Sequence, residues 1–343
     1  MNIQDIANQA GTSIATVSRA INNSGYVKEE TKRKILKIVE ENHFVPSAIA
    51  RSLSRSETAT IGVIVPDIEN PFFSKMISGI EECIQDTEYE LIFLTSDESC
   101  EKEHRLINMI ERQRLSGLIM IPVAEDDRIT RRLLLQMDKK KIPVVLIDRD
   151  LPDSNLDGVF MENTAGAYSG VEALIKEGHH KIGIIAGPTR SKPGKERLDG
   201  YKKAIRHYGL PYREEYIIKG DFKVLSGYEG AKKLLSLSEA PTAIFTSNNL
   251  MTLGALKYLN EQSYQPGKEI SLLGFDEIEV LKMIGYPLSV VARDVSLQGK
   301  KAMEILLEKI KVFSENGETS KIWKPKREII PYQLILRGSE KFL

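Results

Sequence analysis

The chain has 343 residues, 41% of them hydrophobic, and its 48 Lys/Arg balance 48 Asp/Glu to a formal net charge of zero. At roughly 100–200 residues per domain, this length predicts two or three units, and the neutral total gives no electrostatic signature of nucleic-acid binding. No run of about 18 apolar residues occurs, so no membrane span is expected.

The N-terminal "MNIQDIANQA" lacks the basic start and apolar core of a secretory signal. With only Cys83 and Cys100, the expectation is a reducing, cytoplasmic setting with buried free thiols, and neither a disulfide framework nor a metal cluster. Residues 1–57 carry eight Lys/Arg and six Asp/Glu, and the remainder 40 and 42. A DNA-binding reading therefore has to rest on pattern.

The first 45 residues read as helices only. Asn2 with Asp5 has capping-box spacing, and Gly11 supplies a left-handed stop. Ser13 caps a second helix from Ile14 to about Ile21. The short gap between the two has the length of a helix-turn-helix turn. "NNSG" ends the second helix. A third is predicted from about Glu29 to Glu41, with Ile35, Leu36 and Val39 inward, and Phe44 closing the small core. From Pro46, the Ser- and Ala-rich "PSAIARSLSRSETAT" reads by itself as a linker.

Beyond Thr60, eleven apolar runs predict strands: "TIGVIVPD", "ELIFLTSD", "SGLIMIPV", "PVVLIDR", "GVFMEN", "KIGIIAGP", "YIIKGDF", "TAIFTSN", "ISLLGFDE", "LSVVARD" and "YQLILRG". Helical patterns separate most of them. Continuous apolar strands alternating with helices predict parallel sheets covered on both faces. Eleven strands exceed one comfortable sheet, and "TIGVIVPD" and "KIGIIAGP" look like one opening strand used twice. Two similar α/β lobes follow, with a ligand cleft beyond the carboxyl ends of their strands.

Enzyme motifs fail inspection. "GPTRSKPGK", Gly187–Lys195, has six residues between its glycines where a phosphate loop needs four, and Glu196 stands where Ser or Thr would hold magnesium. "GHHK" offers His179 and His180 with no partners at ligand spacing, so a cationic helix end is preferred to a metal site. No G-x-S-x-G or H-E-x-x-H occurs. No catalytic residue, metal or cofactor is predicted.

"IQDIANQAGTSIATVSRAINNSGYVKEETKRKIL", "PSAIARSLSR", "TIGVIVPDIENPFF", "GHHKIGIIAG", "RLDGY", "PTAIFTSNNLMTLGAL" and "LLGFDE" together resemble the LacI/GalR family of bacterial transcriptional regulators, over the whole chain and in order. The resemblance implies a small all-α headpiece (1–45), a hinge helix (46–58) and a periplasmic sugar-binding-protein-like core (59–343). Lobe 1 is expected at about 59–160 plus 291–321, and lobe 2 at about 161–290 plus 322–343. It implies a homodimer on a pseudo-palindromic operator, most simply a repressor of carbohydrate-utilisation genes under small-molecule control. No heptad tail follows the last strand, so a tail-linked tetramer is not expected.

The second helix would then lie in the major groove with its first residues nearest the bases. That puts Ile14, Ala15 and Arg19 at base edges, and Arg19 can pair with guanine O6 and N7. Ser13, Thr16, Ser18 and Asn22 suit phosphate contacts, which position without specifying. Val17, Ala20 and Ile21 are read as core. The resemblance makes Leu53 a minor-groove wedge and Ala50 a close-approach residue between paired hinge helices.

In the core, the resemblance assigns effector contacts to Asn70, Phe72 and Phe73 of "NPFF", to Asp148 and Arg149, and to Arg197, Asn248, Asp276 and Arg293. Three positions depart from the family's frequent choice: Asn249, Met161, and Arg293 in place of glutamine. Arg293 with Arg149 and Arg197 suggests an acid-binding trio. The expected effector is a pentose such as ribose first, and a sugar acid or phosphate second. Two rival readings are a catabolite-control regulator using a phosphorylated phosphocarrier protein as corepressor, and a plain sugar-binding transport protein.

Overall fold

The computed structural model describes residues 1–22, 25–42, 58–314 and 323–341. It divides into two units, Met1–Thr58 and Ala59–Leu343.

The first unit holds α1 (Ile3–Ala10), α2 (Ile14–Asn22) and α3 (Glu29–Glu41). The Asn2/Asp5 capping box forms at both ends of its exchange, and Gly11 ends α1 at φ 69°. Ser13 caps α2, the Thr16 N–H donating to its Oγ at 3.2 Å. Ile6, Ala7, Ala10, Val17, Ala20 and Ile35 form the core. Leu36 departs from expectation: it is exposed, and Ile38 takes the inward place beside Val39. Positions 35, 38 and 39 hold the i, i+3, i+4 spacing of one helical stripe, which Leu36 breaks. Phe44, and the hinge residues Ala50 and Leu53, lie outside the described residues.

The second unit is two six-stranded sheets of the same strand order. Lobe 1 uses β1 (Thr58–Val65), β2 (Glu90–Thr95), β3 (Leu115–Met120), β4 (Val144–Ile147), β5 (Asp157–Met161) and β11 (Arg327–Ile330). Lobe 2 uses β6 (Ile182–Ala186), β7 (Ile217–Lys219), β8 (Ala243–Thr246), β9 (Ser271–Phe275), β10 (Ser289–Arg293) and β12 (Tyr332–Ile335). In both, the second strand flanks the first and the third lies on its other side, so a switch point opens beside the first strand. The β10–β12 pair is antiparallel, and every other strand pair whose register is described is parallel.

Helices α4 (Pro71–Glu82) and α12 (Val295–Ser314) cover one face of lobe 1, α5 (Cys100–Gln113) and α6 (Arg128–Lys139) the other. Lobe 2 is covered by α7 (Asn163–Lys176) and α8 (Lys192–His207) on one face, and by α9 (Val224–Leu235) and α10 (Asn249–Glu261) on the other. A short α11 (Glu279–Met283) follows β9. α9 and α10 touch through glycines: a Cβ at Gly227 would lie 2.1 Å from Met251 O, and one at Gly254 1.9 Å from Val224 O.

The chain crosses between lobes after β5, after β10 and between β11 and β12. Two expected boundaries move. β10 stays whole in lobe 2, so the second crossing follows Arg293 rather than residue 290. The third falls at Pro331 rather than residue 322, because "REII" forms β11 and pairs with β5. The two cysteines are free and half-buried rather than buried.

Candidate effector cleft and nucleic-acid interface

In the first unit, Ser13, Ile14, Ala15 and Arg19 are exposed on one side of α2, while Val17 and Ala20 are buried. Ile14 keeps 42% of its surface accessible. Thr16 and Ser18 are half-buried, and Thr16 shares its hydroxyl with Ser13 at 2.9 Å. The backbone of Asn22 completes the helix. Gly25, at φ 128°, lies under the Arg19 stem: a Cβ there would sit 3.6 Å from Arg19 Cδ. Tyr26, 88% accessible, stands beside it and was not singled out from sequence. A lone aromatic in a loop carries no periodic signal.

In the second unit, strand-end residues of both lobes converge on one cleft. All nine sequence-assigned effector residues line it. The two lobes contribute matching parts. Asp148 follows β4 and Asp276 follows β9, both in the left-handed region at φ 64° and 68°. Their amides donate to Val159 O and Val291 O, at 3.0 and 2.8 Å. Asp tolerates this conformation better than most residues, and it turns both carboxylates off the sheet edge.

Three buried arginines meet them. Arg293 Nη1 lies 2.7 Å from Asp148 Oδ1, and its Nε 3.5 Å from Asp276 Oδ1. Its guanidinium covers the Phe72 ring at 4.7 Å. Arg197, in the second turn of α8, donates to Ser247 O at 2.7 Å and to Asn163 Oδ1 at 2.9 Å, and lies over Phe275 at 3.7 Å. Burial draws its guanidinium down to about 10, against the pull of Asp276, so it stays cationic near neutrality. Arg149 gives both terminal nitrogens to Glu98, at 2.8 and 2.6 Å, and also reaches Val123 O at 3.2 Å. Burial opposes its charge, but Glu98 outweighs burial and holds it above the ordinary value.

The Arg293–Asp148 and Arg293–Asp276 contacts are ion pairs without hydrogen-bond alignment. Asp148 Oδ1, Asp276 Oδ1 and Arg293 Nε and Nη1 are therefore buried with no hydrogen-bond partner. Buried polar groups left this way call for a partner. A ligand hydroxyl, which both donates and accepts, can satisfy each of them.

Three assigned residues do structural work as well. Asn70 Oδ1 caps α4 at Phe72 N. Asn248 caps α10 at Met251 N and donates to Phe222 O at 2.9 Å. Phe73 is packed into the lobe 1 core. Sequence reasoning missed Glu98 and Phe222 as cleft residues, while Asn249, one of the three departures, lines the cleft. Met161, one of the three departures, is buried in the lobe 2 core and does not line the cleft.

"GPTRSKPGK" is the basic turn of lobe 2 that closes on lobe 1. Glu125 N donates to Arg190 O at 3.0 Å, Lys195 reaches Glu125 at 2.8 Å and Lys192 reaches Asp150 at 2.9 Å. His179 of "GHHK" corrects the expected cationic helix end. It is buried between Thr242 Oγ1 at 2.8 Å and Glu340 O at 3.3 Å, and burial lowers its pKa, so it is neutral.

The sequence profile described as "Bacterial regulatory proteins, lacI family" matches residues 2–47, and "Periplasmic binding proteins and sugar binding domain of LacI family" matches residues 58–332. The chain belongs to the LacI family of bacterial regulators. As a LacI-family protein it is a DNA-binding transcriptional repressor. It is 32% identical over 317 residues to the ribose operon repressor of Haemophilus influenzae, covering 92% of this chain and 94% of that protein. It is 33% identical over 341 residues to the repressor PurR of Actinobacillus pleuropneumoniae serotype 3, covering 99% and 98%. Its fold matches that of the lac repressor dimer bound to operator and an anti-inducer, with a TM-score of 0.82 at 23% identity over 100% of this chain and 99% of that one. No helix among the described residues is long and apolar enough to cross a membrane.

Proposed function

We propose that this LacI-family repressor controls carbohydrate-utilisation genes, and that a small sugar between its lobes sets its affinity for a pseudo-palindromic operator. The carrying observation is the cleft: aromatic faces at Phe72 and Phe222, three buried arginine–carboxylate pairs, and partnerless polar atoms on Asp148, Asp276 and Arg293. That combination suits a sugar, whose C–H face stacks and whose hydroxyls bond. A pentose such as ribose is the first candidate, as the name of the Haemophilus relative suggests, and a sugar acid or phosphate the second.

Closure of the lobes on the effector shifts lobe 1 of each protomer against its partner. That changes whether the hinge segments, with Leu53 as wedge and Ala50 as close-approach residue, form on DNA. Ser13, Thr16, Ser18 and Asn22 position α2 on phosphates, while Ile14, Ala15 and Arg19 read bases. The protein works in the cytoplasm, where the operator is.

The test is selection of genomic DNA fragments by purified protein, followed by titration of the selected operator with D-ribose, sugar acids and sugar phosphates. A two-fold-symmetric site beside sugar genes, with affinity shifted by one of these ligands, is expected. Recovery of no symmetric site, or indifference to every ligand, overturns the reading. A phosphocarrier-dependent input is the second reading, suggested by 32% identity over 308 residues to the catabolite control protein A of Priestia megaterium, and is separated by pull-down with the phosphorylated carrier.

A further inference from the structure

The acid-binding trio expected from Arg149, Arg197 and Arg293 does not exist as free positive charge. Each guanidinium already faces a carboxylate: Arg149 faces Glu98, Arg293 faces Asp148, and Arg197 lies 3.5 Å from Asp276. Three cations meet three anions. The remaining charged residues of the lining add Lys223 against Asp67 and Asp221, so the cleft as a whole is one charge negative.

Glu98 is decisive in this balance. It follows β2 at φ 55°, next to Asp97 at φ 51°, two consecutive non-glycine residues in the left-handed region. That conformation costs free energy and needs a compensating contact. The contact is the bidentate pair with Arg149, the strongest geometry available to a guanidinium and a carboxylate. With Pro122 O and Val123 O also on Nη1, only Arg149 Nε is left without a partner. The fork that would grip a phosphate or carboxylate is occupied.

Resting on the reading of the cleft as a sugar site, we propose that Glu98 makes the effector an uncharged sugar, by taking up the Arg149 fork and excluding sugar acids and sugar phosphates. A hydroxyl donates to Asp148 or Asp276 while accepting from Arg293, so a neutral sugar satisfies the orphaned atoms and leaves every ion pair in place. A phosphate or carboxylate group only accepts. Set against Asp148 or Asp276 it leaves that oxygen unsatisfied and adds a further negative charge among carboxylates with low-dielectric surroundings.

The experiment is calorimetry on the full chain, wild type and Glu98→Gln, with D-ribose, D-glucose, D-ribose 5-phosphate and D-glucose 6-phosphate. Wild type is expected to prefer one neutral sugar over its phosphate by about a hundredfold or more, and Glu98→Gln to shrink that ratio by at least about tenfold. Glu98→Asp, which keeps the charge, is the control for folding and is expected to keep most of the discrimination. A wild type that binds a phosphate as tightly as its parent sugar overturns the proposal, as does an unchanged ratio in Glu98→Gln. Binding of none of the four ligands by any of the proteins overturns the sugar-site reading itself, and the proposal with it.

Discussion

Asn70 and Asn249 hold each other across the cleft: Asn249 Nδ2 donates to Asn70 Oδ1 at 2.8 Å, and Asn70 Nδ2 reaches back to Asn249 Oδ1 at 3.4 Å. One residue belongs to lobe 1 and the other to lobe 2, and 179 positions separate them. The same Asn70 oxygen caps α4, so the helix carrying Phe72 and Phe73 is tied to the opposite lobe.

This pair is available only when the lobes are close. Asn249→Ala removes both bonds, each contributing on the order of 1 kcal/mol. Effector affinity, measured by calorimetry, is expected to fall roughly tenfold, with operator affinity of the unliganded protein changed far less. Unaltered effector affinity would remove Asn249 from the closure mechanism.

Arg19 is the one charged side chain on the exposed face of α2. Arg19→Ala is expected to cost about 1–3 kcal/mol of operator affinity while leaving most salt-dependent binding to unrelated DNA intact. Fluorescence anisotropy against the selected operator and a scrambled duplex measures both. An equal loss on the two duplexes would make Arg19 a phosphate contact instead of a base reader.

Glu103 is fully buried in lobe 1, accepting from Val123 N at 2.8 Å and Thr130 Oγ1 at 2.6 Å. Burial raises its pKa from 4.5 to about 7, against those two hydrogen bonds. The folded state thus holds this proton more tightly than the unfolded state. Between about pH 4.5 and 7 stability is expected to fall as pH rises, by up to roughly 3 kcal/mol in all. Urea titrations of the core at pH 5 and pH 7.5 should show that decline in wild type and a much smaller one in Glu103→Gln. Parallel pH profiles for the two proteins would exclude Glu103 as the source.

Gly254 has no room for a side chain, its missing Cβ falling 1.9 Å from Val224 O. Gly254→Ala must push α9 from α10, an overpacking cost of typically 1–3 kcal/mol. A lowered melting temperature of the core is expected. Because α9 begins next to Phe222 and Lys223, weakened effector binding should accompany it. A melting temperature equal to wild type would show that the two helices separate freely.

Much of this architecture was legible as apolar runs. Eight interior strands announce themselves because buried parallel strands are apolar on both faces, and the edge strands β2, β7 and β12 still carry apolar runs. β11 does not: it is an edge strand, "REII", with only Ile330 buried, and no apolar run marks it. Missing it displaced the third lobe crossing to residue 322. The nine effector positions came from family resemblance to strand-end polar residues, and the structure gathers all of them. Glu98 and Phe222 escaped because each sits in an irregular turn, and their partners lie 51 and 26 positions away. Spacing along the chain carries no information about such contacts. Resemblance likewise placed Asp148 and Asp276 in the cleft without pairing them with Arg293 and Arg197, and missed Glu98 beside Arg149.

The three crossings bear on how the protein is made. Lobe 1 begins at the start of β1 but gains its edge strand only at Arg327–Ile330, after lobe 2 has been threaded between. A chain emerging from the ribosome can form α1, α2 and α3 early, whereas neither lobe is complete until the last fifteen or so residues are synthesised. A premature stop anywhere before β11 would leave a DNA-reading element attached to an unfinished sensor. Such a fragment is a target for proteolysis, and its cleft between the lobes is incomplete.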